Sequence, residues 1–150
     1  MQKKYEKING LFFQIGDAEY LSFQNQQFDT VVNIESSHHY PSLRKFYREI
    51  YRVLKPRGTF LYTNYFWDKN YKHYLEESGF KILEEKDITQ NIVLAAEKGH
   101  EMRRELLKKV VPGRLLNEAL ELSATRGTQT YWRFKKGKLP YKRFVLTRET

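Results

Sequence analysis

The sequence contains no cysteine. That absence excludes disulfide scaffolds, thiolate zinc centres and cysteine nucleophiles, and it fits a reducing compartment. No apolar run reaches the roughly eighteen residues that a membrane-spanning helix needs. The opening stretch, MQKKYEKINGLFF, has neither the apolar core nor the small-residue cleavage site of a secretory signal. A cytoplasmic location is the expectation that follows. Low-complexity tracts and internal repeats are also missing. With no linker-like segment to divide them, residues 1–150 are read as a single domain.

What is present suits a packed core. Of the 150 residues, 40% are hydrophobic and 15% aromatic, which excludes disordered and collagen-like chains. The net charge of +9 is unevenly spread. Residues 1–50 carry six basic and six acidic side chains, residues 51–100 eight and seven, and residues 101–150 thirteen and five. The excess therefore belongs to the last third. Its basic residues are interspersed with apolar ones, the pattern of a solvated surface rather than of a nucleic-acid footprint. An acidic ligand or an anionic membrane surface would be the sharper use for it.

Along the chain, strand and helix patterns alternate. Lys3 to Lys7 reads as the end of a helix, with Asn9-Gly10 as its turn. Leu11 to Ile15 has strand composition and stops at Gly16-Asp17. Phe28 to Ile34 is a second strand whose apolar residues run almost continuously, as for a strand covered on both faces. Leu43, Phe46, Tyr47, Ile50, Val53 and Leu54 fall at helical spacing behind Ser42, a suitable N-cap. Lys55-Pro56-Arg57-Gly58 reads as the closing turn. Thr59 to Thr63 is a third strand, Asn70 to Ser78 a short helix ending at Gly79, and Phe80 to Glu85 a fourth strand. Ile92 to Val111 is a long amphipathic helix interrupted at Gly99, Leu115 to Leu122 a further helix, and Tyr141 to Thr147 a last strand. The alternation implies an α/β sheet that is mostly parallel.

Three segments in this order carry a resemblance. They are Gly16-Asp17-Ala18-Glu19-Tyr20-Leu21-Ser22-Phe23, then Phe28-Asp29-Thr30-Val31, then Arg52-Val53-Leu54-Lys55-Pro56-Arg57-Gly58. Together they resemble class I S-adenosylmethionine-dependent methyltransferases. The stretch Asn33-Ile34-Glu35-Ser36-Ser37-His38-His39-Tyr40 is similar to the small-molecule O-methyltransferase branch, which acts on polyketides, sugars and phenolic lipids of the phthiotriolone type. The tail, from Gly79-Phe80 to Arg143-Phe144-Val145-Leu146, fits the same branch. The resemblance implies a Rossmann-like sheet of seven strands, ordered 3-2-1-4-5-7-6 with the last antiparallel. The strands here correspond to the third through seventh. The first two strands and the glycine-rich loop have no counterpart, since Gly10, Gly16 and Gly58 are too dispersed to form one. That loop and its helix N-terminus hold the methionine end of the cofactor, so the resemblance implies a site incomplete for S-adenosylmethionine and a chain inactive alone. The strand at Thr30 to Ile34 then becomes an apolar sheet edge, open to a second copy or a complementing chain.

The resemblance also assigns roles. Asp17 and Ala18 meet adenine, the carboxylate accepting from its amine and the next N–H donating to a ring nitrogen. The backbone of Asn33, Ile34, Glu35 and Ser36 forms a wall of the cofactor site. Read on residue type alone, Asp17 is an Asx-turn and Glu35 a surface carboxylate. In the pair His38-His39, the resemblance points to His39, or else His38, as the base that removes a proton from an acceptor hydroxyl, because histidine titrates near neutrality. Two adjacent histidines otherwise divide into one packed and one solvated. In related sugar O-methyltransferases a histidine here works with an aspartate, whose matching position is Asn64. An amide orients an imidazole but does not stabilise imidazolium as a carboxylate does. Tyr62, Tyr65, Phe66 and Trp67 are placed to line a pocket for a small lipid-like or aromatic acceptor. Three functions remain open: a lineage remnant, an enzyme completed by another chain, and a non-catalytic binding or regulatory module that uses its basic third.

Overall fold

A computed structural model describes residues 8–150. The expected helix at Lys3–Lys7 lies outside them. Four strands form one sheet: β1 (Phe28–Ile34), β2 (Leu54–Tyr65), β3 (Phe80–Asp87) and β4 (Tyr141–Arg148). Their order is β1-β2-β4-β3. β1 runs parallel to β2, while β4 is antiparallel to both its neighbours. Three strands thus point one way and the last opposes them, as expected for the α/β class, and β1 is an edge.

Helix α1 (Leu43–Val53) and helix α2 (Tyr71–Glu77) cover one face. Ser42 caps α1 by accepting from Lys45 N. Phe46, Tyr47 and Ile50 of α1, with Leu75 of α2, bury against Phe60, Tyr62, Phe144 and Leu146 of the strands. The period of two along β2 sends Phe60 and Tyr62 into this core and Leu61 to the other face. That other face is partly bare: Val32, Ile34 and Leu61 are exposed. The expectation that β1 is covered on both faces therefore fails. Its apolar residues alternate between the core and an open face, because only one layer of helices lies over it among the described residues.

Between β3 and β4 come helices α3 (Thr89–Lys98), α4 (His100–Val110), α5 (Leu116–Leu122) and α6 (Gln129–Lys135). The break between α3 and α4 falls at Gly99, as expected. α6 was not legible beforehand. Its seven residues are too few for a periodic signal, although Thr128 caps it by accepting from Tyr131 N. Val93, Ala96, Tyr131, Phe134, Leu139 and Tyr141 form a second core over the far end of the sheet.

Two more expectations are corrected. Leu11–Ile15 forms no strand; its side chains are exposed, Ile15 fully. Strand composition alone does not make a strand, and this segment belongs to none of the four strands of the sheet. The Lys55–Gly58 turn is instead a bulge at the start of β2, where the pairing jumps from Phe28↔Leu54 to Thr30↔Thr59. Arg57 takes φ +63 there, a left-handed conformation that a side chain strains.

Candidate active site

The site lies at the C-terminal ends of β1 and β2, where parallel sheets bind ligands. Glu35 ends β1 in a left-handed conformation, φ +53, while its N–H still donates to Thr63 O. A short 3₁₀ turn, Ser37–His39, follows. It buries Ser37 and turns the next two side chains outward. His39 is exposed. His38 is half-buried, stacked on Tyr65 at 4.1 Å between ring centroids and tilted against His39 at 4.0 Å.

Asn64 is buried and points from β2 at His38. Its Nδ2 donates to Tyr65 O at 2.8 Å. A carbonyl only accepts, so this contact fixes which end of the amide is nitrogen. Asn64 Oδ1 then lies 2.8 Å from His38 Nδ1. An amide oxygen also only accepts, so Nδ1 carries the proton and Nε2 is left with a free lone pair. Burial holds the His38 pKa below the usual histidine value. The hydrogen bond to Asn64 opposes that shift, and neighbouring His39 reinforces it. The resting imidazole is therefore neutral at neutral pH.

A buried hydroxyl chain supports the 3₁₀ turn from beneath: Ser37 Oγ meets Tyr62 OH at 2.5 Å, and Tyr62 OH meets Tyr47 OH at 3.0 Å. Burial pushes the Tyr62 phenol up to about 12 and that of Tyr47 higher still, so both stay protonated. Sequence reasoning missed Ser37 and Tyr47 in this role. The strand and helix periods place them inward but do not show that three hydroxyls meet.

Two cavities flank His38. One, of about 490 Å³, lies on the α1 side between Ser37, Arg44, Asn64, Trp67 and Tyr74. The other, of about 690 Å³, lies under α3–α6. Its sheet side is Glu35, His38, His39, Tyr65 and Trp67, and its helical side includes Ile92, Ala96, Leu122, Phe134 and Arg103. Arg103 was also missed, for nothing in the run His100–Val110 distinguishes it from Arg104.

The other five candidate residues divide. Ala18 and Asn33 share a third cavity, about 370 Å³, along β1, with Leu21, Val31, Tyr40 and Phe46. Asn33 Oδ1 is buried there without a partner, an acceptor suited to the amino group of a purine. Asp17 lies outside that lining; it is exposed, and its Oδ1 accepts from Glu19 N. Ile34 faces the open side of the sheet, and Glu35 faces the cavity under α3–α6. The segment bearing Asp17 and Ala18 is strapped to α1. Leu21 N donates to Glu49, Ser42 N to Glu19, and Arg52 to Glu49 and to the carbonyls of Leu21 and Phe23. No glycine-rich loop joins a strand to a helix among the described residues. Ala18 and Asn33 thus line a cavity beside an unpaired acceptor that fits an adenine amino group, while Asp17 stands outside it.

A family model described as a methyltransferase domain matches residues 1–62. The phthiotriol/phenolphthiotriol dimycocerosates methyltransferase of Mycobacterium tuberculosis is 30% identical over 154 residues, which cover 98% of this chain and 56% of that protein. A fatty-acid O-methyltransferase of Mycolicibacterium smegmatis is 34% identical over 116 residues, covering 75% and 42%. The chain thus spans about half the length of the curated relatives it matches. In fold it is similar to a putative sarcosine dimethylglycine methyltransferase from Galdieria sulphuraria, with a TM-score of 0.80 at 16% identity, over 99% of this chain and 63% of that one. Strand order, relatives and domain match together place the chain in the class I S-adenosylmethionine-dependent methyltransferase family.

Proposed function

We propose that this chain takes part in methyl transfer from S-adenosylmethionine to a hydroxyl of a small lipid-like acceptor, with His38 as the base. The observation that carries the reading is His38 held by Asn64 on the wall of the 690 Å³ cavity, whose lining is largely apolar. Relatives named for lipid and fatty-acid methylation support the acceptor class.

Each residue then has a task. Tyr65, Trp67, Ile92 and Phe134 hold the apolar body of the acceptor and exclude water. Nε2 of His38 takes the acceptor's proton as the oxygen attacks, and Asn64 keeps that nitrogen free by accepting from Nδ1. His39, exposed and tilted against His38, packs on it rather than reacts. Ala18 and Asn33 meet the adenine edge, Asp17 stays outside their cavity, and the backbone from Ile34 to Ser36 forms a wall. When bound, S-adenosylmethionine supplies an electrophilic methyl group. Donor binding also needs the glycine-rich part of the domain, and the open β1 edge, with bare Val32 and Ile34, is where further strands pair. Those strands come from the same polypeptide, from a complementing chain or from a second copy. Residues 1–150 act as one portion of a methyltransferase domain and are inactive alone. One feature leaves nucleic acid out of this reading: the basic residues in and just after α6 lie over Trp67, Tyr131 and Trp132. No described helix is long and apolar enough to cross a membrane, and a cytoplasmic location is proposed.

Calorimetric titration with S-adenosylmethionine tests the reading, on this chain alone and with the glycine-rich portion of a related domain added. Binding that appears only in the mixture supports it. Binding to the chain alone refutes the requirement for the other portion, and full methyl transfer by His38→Ala in the mixture refutes the base.

A further inference from the structure

The helical side of the 690 Å³ cavity carries two charged side chains, Arg103 of α4 and Glu121 of α5, among apolar residues, Ser123 and Thr130, while Glu35, His38, His39 and Tyr65 are the titratable groups on the sheet side. Arg103 and Glu121 are not paired with each other. Both oxygens of Glu121 accept from backbone amides, Oε1 from Gln129 N at 2.9 Å and Oε2 from Thr130 N at 3.1 Å, so this carboxylate caps α6. Arg103 Nη1 donates to Ser123 O at 2.9 Å. That single bond anchors the guanidinium and commits one of its five donors. No acidic side chain forms an ion pair with Arg103 among the described residues. A cation half-buried against apolar walls without a counter-charge is costly unless a ligand supplies one.

We infer that Arg103 is a specificity residue that binds a carboxylate carried by the acceptor, separate from the hydroxyl presented to His38. The inference rests on the acceptor reading of this cavity and narrows the substrate class to hydroxylated acids with an apolar body. A carboxylate is preferred over a phosphate because one planar guanidinium matches a carboxylate's two oxygens, and no second cation lines the cavity to meet a dianion. The histidine remains useful in such an acceptor. A carboxylate needs no base, whereas the hydroxyl beside His38 does.

The test needs only this chain. Trp67 lines the cavity, so its fluorescence in a Trp132→Phe background reports occupancy. Decanoate and decanol share a chain length and differ in charge. The expected result is decanoate binding about tenfold more tightly than decanol, the value of one charge-assisted contact, with the preference shrinking as salt rises. Arg103→Gln is expected to bring the two ligands level, and Arg103→Lys to retain part of the difference. Equal affinities in the parent protein overturn the inference whatever the variants do, and so does a preference that survives Arg103→Gln. If neither ligand perturbs Trp67, the acceptor reading of the cavity falls with it; if decanol binds as well as decanoate, only the role of Arg103 falls. The parent comparison stands even where Arg103→Gln loosens the α4–α5 contact through Ser123.

Discussion

Asn64 Oδ1 accepts from His38 Nδ1 across 2.8 Å, and Asn64 is itself oriented by the Tyr65 carbonyl. The tautomer of His38 is thereby set by a backbone oxygen two steps away. An amide in this place orients the ring without adding charge, so its hydrogen bond opposes the burial that depresses the His38 pKa but does not overcome it.

Replacing Asn64 by Asp adds that charge. Proton NMR titration of the chain is expected to give a His38 pKa below the ordinary value of about 6.5 in the parent and above the parent's in Asn64→Asp. In the assembled enzyme the acid limb of the rate profile moves the same way, toward higher pH, because the base must be deprotonated to act. An unchanged His38 titration in the variant contradicts the assigned contact.

The same depressed pKa carries a stability consequence. The unfolded chain binds the His38 proton more readily than the folded one, so stability is full above about pH 6.5 and declines as the pH falls below it. His38→Gln is expected to flatten that part of the curve of denaturation midpoint against pH. A slope between pH 7 and 5 equal to the parent's counts against it.

Tyr62→Phe removes the central hydroxyl of the Ser37–Tyr62–Tyr47 chain and leaves two buried hydroxyls without a partner. Urea denaturation is expected to show a loss of about 1–3 kcal/mol. Tyr47→Phe costs less, since Tyr62 keeps Ser37. Equal losses in the two variants contradict a central position for Tyr62.

The bulge that opens β2 separates two adjacent residues by sign. A Cβ on Gly58 would meet Lys55 O at 2.8 Å and Asp29 O at 3.2 Å, both backbone atoms, so Gly58→Ala is expected to destabilise by about 1–3 kcal/mol. Arg57→Gly relieves a left-handed strain of about 1 kcal/mol, partly offset by the entropy that glycine brings to the unfolded chain. Thermal melting distinguishes them: the midpoint falls for the first and is held or rises for the second.

On the open face of the sheet, Val32→Lys with Ile34→Lys places two charges on an edge strand where neither side chain is packed. The double variant is expected to keep the parent's circular dichroism and to suppress concentration-dependent self-association in sedimentation velocity. Loss of the fold would show that this face is covered.

The chain of strands and helices was legible because its periods are local. Phe28–Ile34, the helix behind Ser42, and the Gly79 and Gly99 breaks follow from spacing and from residues with restricted backbones. Leu11–Ile15 misled for the opposite reason: its composition is that of a strand, yet a strand exists only where another backbone pairs with it. The histidines could be named as candidates from sequence, with His39 put first, but it is His38 that the fold brings to Asn64 and Tyr65.

By itself the sequence determined the α/β class, the strand order through its resemblance, and the ends of the sheet at which chemistry-bearing residues gather. Tertiary structure alone decided that His38 meets Asn64 while His39 faces solvent, that Asn33 buries an unpaired oxygen beside the cavity that Ala18 also lines, and that Arg103 lines a cavity with no ion-pair partner among the described residues. These are relations between residues 15 to 68 positions apart in the chain, from Ala18 and Asn33 to Glu35 and Arg103. Hydrophobic periodicity fixes which face of an element is buried, but which polar groups then come within hydrogen-bonding reach depends on register and crossing of elements, and no local pattern encodes that.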